Sequence, residues 1–367
     1  MSSPNERYRI DNFHAKSLEN NPLNSPVDRD INIYLPPGYF EDKDKRFPVI
    51  YFLHGYSLNN RMWTITWQDD ENQFLNLKVI PPKIIEKIDL EQALYFEKLD
   101  ELIKSGELDP FIFVQPDASL HLPQLSGRKD LRGNPFTKGS FFINSPYSGN
   151  YMDYIIYDVI DYIDNHYRTI PDRAHRAIVG GSMGGYGALY LSLIHPNKFN
   201  SVVALSPANL GGMKKVDWKL RIPLYEEIFG TKMSNKIGDM AWADILDTYD
   251  LILSRDCPLI PSIKRDNNGK IVDYSKEAEN KWIKFDVNEI IRKNPDILKG
   301  LNILLNCEIN DEFGLTDVTE QLHETLLELD IDHDYEIYSE PKAALSPHIF
   351  GIASKISTGI RFCLKYF

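Results

Sequence analysis

The stretch 175–195, HRAIVGGSMGGYGALYLSLIH, carries the reading on which the fold rests. Its AIV core is apolar at every position, as in a strand covered on both faces. GYGALYLSLIH reads as a helix, and the glycines at 180, 181 and 184 make the join between the two a tight one. A strand that feeds a helix across so short a turn is half of a βαβ unit.

Outward from there the same rhythm repeats. FPVIYFLHG (47–55), FIFVQPD (111–117), FNSVVALSP (199–207) and LNILLNCE (301–308) are further apolar runs of strand length, and HDYEIYS (333–339) closes the series. Upstream, RYRI and FHAKS lead into DINIYLPPGYF, whose alternation stops at a Pro-Pro-Gly turn. Between the runs lie helical patterns. In 152–167, Ile155, Ile156, Val159, Ile160 and Ile163 share one face, 183–195 and 315–329 behave similarly, and the tail from Ile349 forms a final helix. Alternating strands and helices predict a mainly parallel sheet flanked by helices. The whole of 1–367 reads as a single domain with two insertions. About 64–100 is polar and mixed, an excursion over the sheet edge. About 211–284 reads as a cap or lid, with a helix-like part at 237–253 and a hairpin signalled by Asn-Gly in IKRDNNGKIVD.

Gly180-Gly181-Ser182-Met183-Gly184 is a G-x-S-x-G sequence, and a strand before it with a helix after it is the setting of a nucleophile elbow. Such a turn lifts the serine hydroxyl above the sheet on a strained backbone, and a bulky residue at 180 or 184 would collide with the neighbouring strand or helix. A hydroxyl needs a base to become a nucleophile. Of nine histidines, His348 fits the order Ser, acid, His best, lying in a loop (SEPKAALSPHIF) after the last strand. Asp311, in the loop leaving 301–308, is the acid that would orient the imidazole; Glu312 is the rival, one residue of register away. The tetrahedral oxyanion would be held by the backbone N–H of Met183 and of Tyr56, with Ser57 as second choice for the latter. The aromatic residues Tyr56, Trp63, Tyr186 and Trp67, near the expected mouth of the site, are candidate contacts for an acyl or aryl group.

LPPGYF, FPVIYFLHG, IDNHYRTIPDRAHRAIVGGSMGGYGAL and the Asp311–His348 spacing resemble the esterase D / feruloyl esterase group of α/β-hydrolases. That group includes S-formylglutathione hydrolases, siderophore esterases and mycolyltransferases of the antigen 85 type. The resemblance covers about 7–210 and about 284–355, and is most specific in the Ser-Met-Gly-Gly-x-Gly-Ala-Leu run at 182–189. It implies the α/β-hydrolase fold and a Ser–Asp–His hydrolase of acyl esters or thioesters, carried by Ser182, Asp311 and His348. The activity expected is that of a serine carboxylesterase on feruloyl, other aryl or short-chain esters. Thioester hydrolysis of S-formylglutathione and acyl transfer are the alternatives.

Composition narrows the remaining classes. A net charge of −12 argues against nucleic acid and against an anionic membrane, since both are bound through Lys and Arg. Three cysteines without a CxxC pair, and no Cys/His cluster at metal spacing, give no sign of a metal site; this chemistry needs neither metal nor organic cofactor. The partner expected is a small-molecule ester, and a homo-oligomer is left open. MSSPNERYRIDNFHAKS has no apolar core of a signal peptide, and no uncharged apolar run nears the roughly 18 residues of a membrane helix, so a cytoplasmic location is expected.

Overall fold

The structure is a computed structural model that describes residues 4–56, 58–60, 96–121, 137–209, 263–265, 271–274, 283–340 and 346–367. Its centre is an eight-stranded sheet. The strands are β1 (Tyr8–His14), β2 (Asp28–Tyr34), β3 (Val49–Leu53), β4 (Ile112–Pro116), β5 (Arg176–Gly181), β6 (Ser201–Leu205), β7 (Asn302–Glu308) and β8 (Asp334–Tyr338). They lie in the order β1-β2-β4-β3-β5-β6-β7-β8. β1 and β2 run antiparallel to their neighbours. From β4 to β8 every pair is parallel. This is the α/β-hydrolase fold, and the crossover between β3 and β4 puts β3 beside β5.

Helices cover both faces, which is why the inner strands are apolar at every position. α1 is Phe96–Lys104, α2 spans 151–166, α3 is Met183–Ile194, α4 is Leu315–Glu328 and α5 is Pro347–Leu364. In β3, Val49, Tyr51 and Leu53 point into one core with α2, α3 and α4. Ile50 and Phe52 point into the other, with α1 and α5. The five residues placed on one face of α2 are all buried, and its middle, Tyr154–Val159, is wound as a π-helix.

Some boundaries differ from the sequence reading. β1 stops at His14, and Lys16–Leu18 winds into a 3-10 turn, so FHAKS is only half strand. The excursion at 64–100 ends early: from Phe96 the chain is in α1, where Leu99 is buried and Asp100 accepts from Tyr34 Oη at 2.6 Å and pairs with Arg7. The strand-like runs on either side of Asn-Gly pair, with Ile263–Arg265 antiparallel to Ile271–Tyr274; residues 266–270 between them lie outside the described residues. The remainder of 211–282, including 237–253, lies outside the described residues, as do 64–95. Among the described residues no helix is long and apolar enough to cross a membrane.

The glycines around Ser182 are required by close approach. A Cβ at Gly184 would sit 2.0 Å from Leu53 O, and one at Gly180 would sit 2.1 Å from Gly184 O. Both obstacles are backbone, so no side chain can swing aside. Gly184→Ala should therefore cost at least about 1–3 kcal/mol, the usual penalty of overpacking. A thermal melt checks this, and an unchanged Tm would contradict the packing described.

Candidate active site

The site is assembled where β3, β5, β6 and β7 end. Ser182 joins β5 to α3 with φ 60° and ψ −121°, a conformation that costs a non-glycine residue on the order of 1–3 kcal/mol. Its backbone is tied on both sides: the N–H donates to Leu205 O at 2.9 Å, and the carbonyl accepts from Tyr186 N and Ala208 N, both at 3.1 Å. The turn is thus over-determined by β6 and by the first turn of α3, and the half-buried serine is fixed in place.

β7 delivers the acid. Asp311 is fully buried, three residues beyond the strand, and its carboxylate is well supplied with donors. Oδ1 accepts from Phe313 N at 3.0 Å and Leu315 N at 3.4 Å, and Oδ2 receives the Cys307 thiol at 3.7 Å. Oδ2 also lies 2.6 Å from His348 Nδ1. The structure therefore separates the two acids that sequence left open: Asp311 meets the imidazole ring, and Glu312 does not. Glu312 turns to the backbone instead, accepting from His348 N at 2.8 Å and from Ser346 Oγ.

His348 is not in a loop. It is the second residue of α5, after the N-cap Ser346, whose Oγ accepts from Ile349 N at 3.2 Å, and after Pro347. A Ser-Pro pair is a helix-start signal, so this boundary was readable. The consequence is rigidity, because the imidazole stands on a helix turn rather than on a flexible connection. A Cβ at Gly181 would lie 2.7 Å from Ile352 Cγ2. Ile352 is four residues after His348, on the same helix face. The face of α5 that carries the imidazole therefore packs against the residue preceding Ser182.

Burial would lower the His348 pKa, but the charge and hydrogen bond of Asp311, with the charge of Glu312, outweigh it and raise the pKa above the ordinary 6.5. With Nδ1 engaged by Asp311, Nε2 is the nitrogen left to exchange a proton.

Met183 opens α3, so its N–H is among those a helix leaves unpaired at its start. The side chains of Met183 and Tyr56 meet over Gly139, where a Cβ would be 2.3 Å from Met183 Sδ and 2.6 Å from Tyr56 Cδ2. The loop after β3 and the start of α3 are thereby held together. Ser57, Trp63 and Trp67 lie outside the described residues. Tyr186 is placed in the core rather than at a mouth. It is fully buried, its hydroxyl donates to Phe285 O at 3.0 Å, and its ring stacks on Tyr190. The reason is that Met183 to Leu193 are buried throughout, so α3 has no solvent face. Among the described residues no group of three or more His, Cys, Asp or Glu could hold a metal ion.

Comparison with known proteins agrees with this architecture. Residues 25–243 match the esterase family model, described as "Putative esterase". A curated relative, an endo-1,4-beta-xylanase/feruloyl esterase of Xylanibacter ruminicola, is 26% identical over 171 residues, 46% of this chain. The match spans only 18% of that relative's length. A solved ferulic acid esterase is similar over 98% of this chain and 97% of its own, at 18% identity and a TM-score of 0.60. The S-formylglutathione hydrolase of Agrobacterium tumefaciens is similar over 97% and 94%, at 16% identity and 0.52. At such identities the likeness is one of fold.

The electrostatics can be read directly from the ring. An NMR titration of His348 should give a midpoint above 6.5, and Asp311→Asn should move it down by removing the charge that favours the imidazolium. Because the folded pKa is raised, the stability it contributes is fully present below the unfolded pKa and is lost as pH rises through the folded one. A midpoint below 6.5 that ignored Asp311→Asn would contradict the pairing.

Proposed function

We propose that this chain, which belongs to the esterase family, is a serine carboxylesterase with Ser182 as nucleophile, His348 as general base and Asp311 as the acid that orients it. The observation that carries the reading is the pairing of a buried carboxylate with an imidazole at 2.6 Å, on a helix packed against the strained turn of Ser182.

In this mechanism His348 Nε2 takes the proton of Ser182 Oγ as the oxygen bonds to the acyl carbon. The negative charge that develops on the carbonyl oxygen is stabilised by the N–H of Met183 and that of Tyr56. The carbon–oxygen bond to the alcohol breaks, and the imidazolium returns its proton to the departing oxygen. Water then attacks the acyl-serine with His348 again as base, and the free acid leaves. Asp311 keeps its negative charge throughout, fixing the tautomer with the proton on Nδ1. No metal or organic cofactor takes part.

The substrate class we assign is an ester of a phenolic or other aryl acid. The feruloyl and ferulic acid esterases among the similar proteins support this choice. Hydrolysis of a glutathione thioester, or transfer of the acyl group to an alcohol, would use the same three residues and differ only in what occupies the leaving or attacking position.

Ser182→Ala should reduce turnover of p-nitrophenyl acetate and methyl ferulate by on the order of 10⁴–10⁶-fold. Near-normal turnover by that variant would end the assignment of nucleophile. Higher kcat/KM on S-formylglutathione than on methyl ferulate would overturn the aryl-ester assignment while leaving the triad intact.

A further inference from the structure

Every donor of the first turn of α5 has a partner. Pro347 has no N–H, His348 N donates to Glu312 Oε2 at 2.8 Å, Ile349 N to Ser346 Oγ at 3.2 Å, and Phe350 N to Ser346 O at 3.0 Å. The Ser346 hydroxyl itself donates to Glu312 Oε1. One carboxylate thus spans the N-cap and the residue that carries the imidazole, from a side chain only 1% exposed.

We infer that Glu312 is a positioning residue for the reaction proposed above: it grips His348 by the backbone while its neighbour Asp311 grips the ring. The inference rests on that serine-esterase reading. Consecutive residues of one loop fix an imidazole at both ends, its main chain and its Nδ1, and leave Nε2 to exchange the proton. Two anchors are needed because each governs a different freedom. The Asp311 bond sets rotation of the ring, whereas the Glu312 bonds set the height and tilt of the helix turn that carries it. A misplacement of about 1 Å is enough to cost about 10²-fold in rate.

The chemistry of the side chain fits the task. A carboxylate at a helix N-terminus lies in a favourable field, and as an ionised group it accepts on both oxygens at once. An amide of the same shape accepts on one only. Among the described residues, the titratable groups that face Glu312 are Asp311, from its own loop, and His348, from α5. Burial, and then the charge of Asp311, push the Glu312 carboxyl up to about 7, against the pull of His348 and the two hydrogen bonds. The fold therefore keeps a carboxylate where an apolar residue would be easier to bury, beside an imidazole whose charge it favours.

The test compares wild type with Glu312→Gln and Ser346→Ala in pH profiles of kcat and KM on p-nitrophenyl acetate, with Ser182→Ala as control. Glu312→Gln should lower kcat by about 10–100-fold, leave KM within about twofold, and shift the acid limb of kcat/KM to lower pH to the extent that Glu312 is still ionised there, since only its charged form favours the imidazolium. Ser346→Ala, which takes away one of the two bonds to Glu312 and the cap bond from Ile349 N but leaves the charge, should lower kcat by less and leave the limb in place. It also carries the test should Glu312→Gln fail to fold. A residue that only braced the fold would lower Tm and leave both kcat and the limb unchanged. If Ser182→Ala is dead while Glu312→Gln or Ser346→Ala keeps wild-type kcat and limb, the inference falls and the esterase reading stands. If Ser182→Ala remains active, both fall.

Discussion

The arrangement depends on one hydrogen bond, the 2.6 Å contact between the Asp311 carboxylate and His348 Nδ1. A buried carboxylate is costly unless it is supplied with donors. Two backbone N–H groups and a thiol provide them before the imidazole is counted. Asp311 is therefore held by its own loop, and can hold the ring in turn. The rest of the fold brings the two ends of this bond together: β7 leads to Asp311, and α5 begins with His348.

The same constraint explains the crowding around Ser182. The turn tolerates φ 60° because the ends of β6 and α3 grip its N–H and carbonyl. α3 can start there because Gly184 lets Leu53 O approach and Gly180 lets Gly184 O approach. The start of α3 and the loop after β3 thus pack together, as an oxyanion site drawn from both would require. Strain at the serine is offset by packing on either side of it.

Much of this was legible in the sequence. Runs apolar at every residue mark the inner strands, because α/β sheets are covered twice, and the glycines at 180 and 184 mark positions where a side chain would collide. The order Ser, acid, His along the chain points to His348, and the Ser346-Pro347 helix start puts it on α5 where the order alone suggests a loop. Tyr186, an expected substrate contact, lies in the core because GYGALYLSLI is apolar all round and so describes a helix buried on every side. Asp311 and Glu312 could not be separated by pattern, since one residue of loop register decides which carboxylate faces the ring. Sequence also offered no hint that both would be used.

The central claim is that Ser182 is the single hydroxyl activated by the Asp311–His348 pair, and covalent trapping tests it most directly. Treating the protein with an alkyl fluorophosphonate, followed by peptide mapping in a mass spectrometer, should give one adduct per chain, located on Ser182 and formed faster as His348 loses its proton. An adduct on another residue, or none under conditions where the ester is still cleaved, would contradict the account.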